Sequence, residues 1–137
     1  MKSLIAAICL APLFASSALA ADLTIQIDDV KTNQGQIMLA LYNSAESFLK
    51  QPLRAELVLA QLNQNVIEVK NLPAGEYAFA VFHDSNGNGK LDRNPVGMPI
   101  EDFAFSNQAQ GNMGPPKFDA AKIQLNDGAS VVRVSLR

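Results

Sequence analysis

The chain reads as all-β: an antiparallel two-sheet sandwich of about seven strands, with one long ordered loop. Three observations lead there. Apolar residues alternate with polar ones in short runs, turn residues separate the runs, and no stretch carries the period of a long amphipathic helix. Leu23, Ile25 and Ile27 share one parity against Thr24, Gln26 and Asp28, which predicts a half-buried first strand. Asn33-Gln34-Gly35 turns the chain into a second strand with Ile37, Leu39 and Leu41 on one face. Ser44 to Leu49 opens on an N-cap residue and predicts a turn or two of helix before Pro52. Weaker strands follow over Glu56 to Leu62 and Val66 to Val69, and Pro73-Ala74-Gly75 leads into a strand with Tyr77, Phe79 and Val81 in register. A short strand is expected around Phe103 to Phe105. Ala121, Ile123 and Leu125, then Val132, Val134 and Leu136, predict the last two strands, with Asn126-Asp127-Gly128 as a hairpin turn between them.

The first twenty residues have another logic. Lys2 precedes the apolar run Leu4 to Phe14, and Ala18-Leu19-Ala20 offers small residues at both recognition positions of a signal peptidase. A membrane-spanning helix needs roughly 20 apolar residues, whereas this run breaks at Ser16-Ser17. Residues 1–20 are therefore expected to be a signal peptide cleaved near Ala20, leaving 21–137 as one β-sandwich domain, periplasmic or secreted, with no transmembrane segment in the mature form. The single cysteine, Cys9, leaves with the leader, so disulfides and thiolate chemistry are excluded from the mature domain.

Composition narrows the function classes. In the 137 residues, 48% are hydrophobic and 18% charged, which is too apolar for a disordered chain, and the net charge of −2 argues against nucleic acid as a partner. The one long irregular stretch, Asp84 to about Phe118, is rich in glycine and proline yet carries Met98, Ile100, Phe103, Phe105 and Phe118 as apolar anchors. Loops of that length are usually either functional or disordered, and apolar anchors are not what a disordered segment carries. It is expected to be ordered and folded over one end of the sandwich.

The beginning of that loop holds the best candidate chemistry. Asp84, Asn86, Asn88 and Asp92 fall at positions 1, 3, 5 and 9 of a calcium-type loop, with Gly89 at position 6 and the Lys90 carbonyl at position 7. Hard cations take such oxygens, and glycine at the sixth position allows the wrap. Pro95 stands where a bidentate Glu normally closes the shell, so Glu101 or Asp102 would have to fold back. The same residue types also suit a turn that caps itself, because Asp and Asn side chains bond neighbouring N–H groups. Both readings stand at this point; an ion, if bound, would be Ca2+ held at roughly 10⁻⁴ to 10⁻³ M, in a structural role.

His83 is the only histidine, so histidine-rich zinc or copper sites are excluded. It shares the parity of Tyr77, Phe79 and Val81, which predicts a partly buried, hydrogen-bonded ring. Its alternative role is general acid or base with Asp84, Asp92 or Glu101, though no Gly-x-Ser-x-Gly elbow or other defined nucleophile accompanies it. Dinucleotide and phosphate-loop fingerprints are absent too.

Leu72-Pro73-Ala74-Gly75-Glu76-Tyr77, His83 through Asp92, Gly97-Met98-Pro99-Ile100-Glu101, Phe105-Ser106-Asn107 and Gly114 through Ala121 occur in the order seen in a bacterial family of unknown function, number 2141, which the chain resembles. The resemblance implies an exported protein of one small β domain and carries no activity over. The Leu-x-x-Gly-x-Tyr turn is also similar to that of transthyretin-like and carboxypeptidase-regulatory-like sandwiches. Together these readings predict a non-catalytic binding or structural module with a calcium-stabilised loop, its partner an envelope protein or small ligand. The alternative is a small periplasmic hydrolase or lyase using His83 and nearby carboxylates.

Overall fold

A computed structural model describes residues 19–137; the apolar run Leu4 to Phe14 and Cys9, on which the expected signal peptide rests, lie outside the described residues. The strands are β1 (Ala20–Val30), β2 (Gln36–Tyr42), β3 (Arg54–Leu59), β4 (Asn63–Pro73), β5 (Gly75–Asp84), β6 (Phe103–Phe105), β7 (Ile123–Leu125) and β8 (Gly128–Ser135). A 3-10 turn (Ser106–Gln108) follows β6, and a single-turn helix α1 (Phe118–Ala121) precedes β7. They form two sheets, one of three strands in the order β4-β1-β8, the other of five, ordered β3-β2-β5-β6 with β7 on the start of β5. The all-β sandwich expected from the sequence is the fold.

The alternation in β1 does what period two requires: Ala21, Leu23, Ile25 and Ile27 are fully buried between the sheets. Its parity then breaks, because the ladder slips between Ile27 and Val30 and Asp29 takes φ 63°. This bulge turns Val30 inward although it lies three residues on. A second slip, opposite Ala21 and Leu23, does the same for Leu72 of β4 beside Asn71 at φ 59°.

Three expectations are corrected. The sandwich is not wholly antiparallel, since β8 runs parallel to β1 from Ala21↔Gly128 to Asp28↔Ser135. Asn126-Asp127-Gly128 is consequently not a hairpin but a crossover from β7 in one sheet to β8 in the other. Turn chemistry reverses or redirects a chain equally well; which sheet receives the next strand is decided by where its apolar face finds cover. Ser44 to Gln51 forms two overlapping hydrogen-bonded turns rather than a helix, with Phe48 N–H on the Ser44 carbonyl at 3.1 Å, Gln51 N–H on the Ser47 carbonyl at 2.9 Å and Ser44 Oγ capping Ser47 N–H at 3.2 Å; Leu49, at φ 61°, breaks the helical backbone between them.

The molecule has two apolar clusters, and the second is what positions the site. The first fills the space between the sheets, built on Leu23, Ile25, Ile37, Leu41, Phe79 and Val81. The second lies on the opposite, outer face of the five-stranded sheet and joins Tyr42, Phe48, Ala78, Phe105, Phe118 and Ala121. Phe48 is its hub, edge-on to Tyr42, Phe105 and Phe118 at centroid separations of 5.3, 6.3 and 5.8 Å. The long loop therefore packs over the outer face of this sheet rather than over an end of the sandwich. Phe105 and Phe118 anchor it as expected, whereas Met98 and Ile100 stand out into solvent, 63% and 67% exposed.

Candidate functional site

The loop after β5 closes on itself. Asp84, at the end of the strand, is fully buried, and its carboxylate accepts Gln36 Nε2 at 2.9 Å, Asn88 N–H at 3.1 Å and Gly89 N–H at 2.8 Å. Burial works to raise its pKa, but the hydrogen bonds from Gln36 and from the backbone of Gly89, Asn88 and Gly87 outweigh it and hold the group below its ordinary 3.8. Asn86 and Asn88 turn their amide Nδ2 groups to Asp92 at 2.6 and 2.9 Å, while their Oδ1 atoms accept Asn88 N–H and Lys90 N–H. Glu101 does fold back: Oε1 accepts Ser85 N–H at 3.2 Å and Oε2 accepts Asp92 N–H at 3.0 Å, so one side chain clasps both ends of the loop. Asp102 does not join it; it pairs with Lys31 at 2.8 Å.

Asp84, Asn86, Asn88, Asp92 and Glu101 are thus gathered by the fold. Their oxygens are engaged with N–H donors, and calcium would have to replace the two amide contacts on Asp92. Among the described residues no group of three or more His, Cys, Asp or Glu is placed to hold a metal ion, so a calcium shell would draw on the Asn side-chain oxygens and the Lys90 carbonyl.

His83 is 5% exposed, and its Nε2 meets the Gln34 carbonyl at 2.7 Å, with Nε2 donating. Its backbone N–H goes to Asp102 O at 2.9 Å. Among the described hydrogen bonds the ring makes none with a carboxylate. On β5 it faces the sheet interior opposite Ile37, whereas Asp84, opposite Gln36, takes the other face.

The more open feature lies on the outer face of the five-stranded sheet. Two arms of the long loop, one bridged at Arg93↔Pro99 and one running through Gly111 to Pro116, flank Phe103 and Phe105 and enclose a groove of about 640 Å³. A shallower groove of about 340 Å³ continues over Ala80 and Phe82 toward Tyr42 and Leu49, and the two share Leu91, Arg93, Phe103, Phe105 and Pro115. The arms need their backbone shape: a Cβ on Gly111 would fall 1.8 Å from Gly114 O. β6 is held under them by Ser106, buried, whose Oγ accepts Phe79 N–H at 2.9 Å.

The sequence reading missed this surface, though the signal was present. It followed the odd residues of β2 and β5, while the even ones, Met38, Ala40, Tyr42, Ala78, Ala80 and Phe82, are apolar or aromatic as well. Strands apolar on both faces belong to sheets covered on both faces.

No curated protein and no solved structure matches the chain. One family model does, over residues 25–133, and by it the chain belongs to DUF2141, described as uncharacterized protein conserved in bacteria.

Proposed function

We propose that this protein is an exported, non-catalytic binding module that takes an apolar ligand or partner segment on the outer face of its five-stranded sheet. The observation that carries the reading is the groove over Phe103 and Phe105, whose size falls within the roughly 300–1,000 Å³ typical of ligand sites. Its rim keeps Val96, Met98 and Met113 exposed at 81%, 63% and 103%, more apolar surface than isolated surface residues account for. Export rests on the leader, and cleavage after Ala20 is compatible with the strand ladder, since Ala20 is the exposed first residue of β1.

Binding of Nile red, a neutral apolar dye, tests the groove. The intact protein should enhance its fluorescence, and Met98→Asp and Leu91→Asp should abolish the enhancement while the melting temperature of the first variant stays within a few degrees; dye binding that survives both substitutions would sink the reading.

The calcium-stabilised loop is part of the same proposal, as the element that sets the angle of the Arg93–Pro99 arm. It is supported by the ligand spacing and by Glu101 reaching the loop. After chelator treatment, calcium at about ten times its Kd should add about 1.4 kcal/mol to stability, and Asp92→Ala should remove the increment. Melting that is indifferent to calcium, magnesium and chelator would leave a self-capped turn.

A further inference from the structure

Resting on the groove reading above, we propose that the ligand is a single-chain anionic amphiphile, a free long-chain carboxylate whose tail lies along Phe103, Phe105 and Ala80 and whose head meets Arg93. The argument is the charge of the lining. The larger groove is bordered by apolar side chains, glycine and the neutral Gln110, with Arg93 and Arg137 as its only charged residues and no acid among them. The shallower one has Arg93 as its only charge. This local excess of positive charge sits in a protein whose formal net charge is −2.

Those cations are not spent on carboxylates. Arg93 Nη1 donates to Gly97 O at 2.9 Å and Arg137 Nη2 to Ala109 O at 2.9 Å, and among the described ion pairs neither guanidinium has an acidic partner. A backbone carbonyl on one nitrogen leaves most of the five N–H donors of a guanidinium for a planar, two-oxygen acceptor. The nearby acids are engaged elsewhere: Asp92 by Asn86 and Asn88, Glu101 by the loop backbone, Asp102 by Lys31. Arg137 is held beside Phe103 by paired backbone bonds of 3.1 and 3.2 Å. A chain terminus at Arg137 would set an α-carboxylate beside its own guanidinium, so the proposal rests first on Arg93, the cation both grooves share.

The floor suits an alkyl chain. In the second groove Ala80 is the small outer-face residue among larger neighbours, Tyr42, Leu49, Phe82 and Phe103, and leaves a trough between them. A flat bilayer surface would not enter a trough flanked by loop arms, whereas a free chain can lie in it.

Displacement of Nile red from the full mature chain by laurate, dodecanol and dodecyltrimethylammonium, with flotation on phosphatidylglycerol vesicles as a separate arm, decides the matter. Laurate should compete at least about tenfold better than dodecanol, the value of one charge-assisted hydrogen bond of about 1.4 kcal/mol. Arg93→Gln should erase that preference without changing the melting temperature, and Arg93→Glu should shift it toward the ammonium amphiphile. Equal competition by all three amphiphiles, with Nile red still bound, would overturn the anion and keep the groove. Failure of Nile red itself to bind would overturn the groove reading and this one with it. Flotation with vesicles in place of laurate competition, or a dimer in sedimentation that Met98→Asp dissociates, would name a membrane or a second copy as the occupant and overturn the proposal.

Discussion

Gly35 lies where the turn between β1 and β2 passes against the end of β5. Its φ is +71°, and a Cβ there would stand 2.0 Å from Asp84 O and 2.8 Å from the Ser85 backbone. Gly35→Ala is expected to cost at least about 1–2 kcal/mol from the left-handed backbone alone, with the contact adding to it, and urea unfolding measures the loss. Asp84, touched by that turn, sets the acid limit of the loop. Because its pKa is held below 3.8, its contribution to stability is complete above pH 3.8 and is lost as the pH falls through the lower folded value. Asp28 acts in the same direction, lowered first by its hydrogen bond from Arg133 and then by that from Gln64. Stability of the intact protein should therefore fall more steeply below pH 3.8 than that of Asp84→Asn, whose side chain does not titrate; parallel curves would remove Asp84 from the acid limb. Ser106→Ala tests a third residue. It leaves Phe79 N–H buried without its 2.9 Å acceptor and should cost about 1–3 kcal/mol.

At the scale of elements, the outer cluster ties the long loop to the sheet. Phe48 reaches it from the turn after β2, Phe105 from β6 and Phe118 from α1, so three segments distant in sequence meet at one aromatic hub. Phe48→Ala should cost about 3–5 kcal/mol and loosen the loop arms, read as faster amide exchange over residues 103–121 with the β1 and β8 amides still protected. Uniform exchange throughout would mean that the loop and the sandwich unfold as one unit. Strand existence was legible because alternation is local: β1, β4 and β8 each carry their pattern within a few residues. The outer cluster was legible only in part. Met38, Ala40, Ala78, Ala80 and Phe82 announced a second covered face, but nothing local says which segment covers it. Likewise the oxygen-bearing residues of the Asp84 to Asp92 loop were readable from spacing, while the clasp by Glu101, nine residues beyond Asp92, depends on the Arg93↔Pro99 bridge that returns the chain.

For the molecule as a whole, β1 is the axis. It is the central strand of its sheet, bonded antiparallel to β4 and parallel to β8, and four of its side chains are fully buried between the sheets. Removing residues 128–137 would uncover β1 along its length and delete Val134 and Leu136 from the core; the truncated chain is expected to lose its cooperative thermal transition, and a sharp melt near that of the full protein would refute the central role given to β8. By itself the sequence determined the all-β class, the positions of the strands, the run of oxygen-bearing side chains after β5 and the apolar lining of β2, β5 and β6, because each follows from side-chain period or turn chemistry within a few residues. Tertiary structure alone decided that β8 lies parallel to β1, that Asn126-Asp127-Gly128 carries the chain between sheets, and that Arg93 and Arg137 line one groove with Phe103. Those outcomes depend on which apolar face covers which, a choice settled by burial across distant parts of the chain rather than by any local preference.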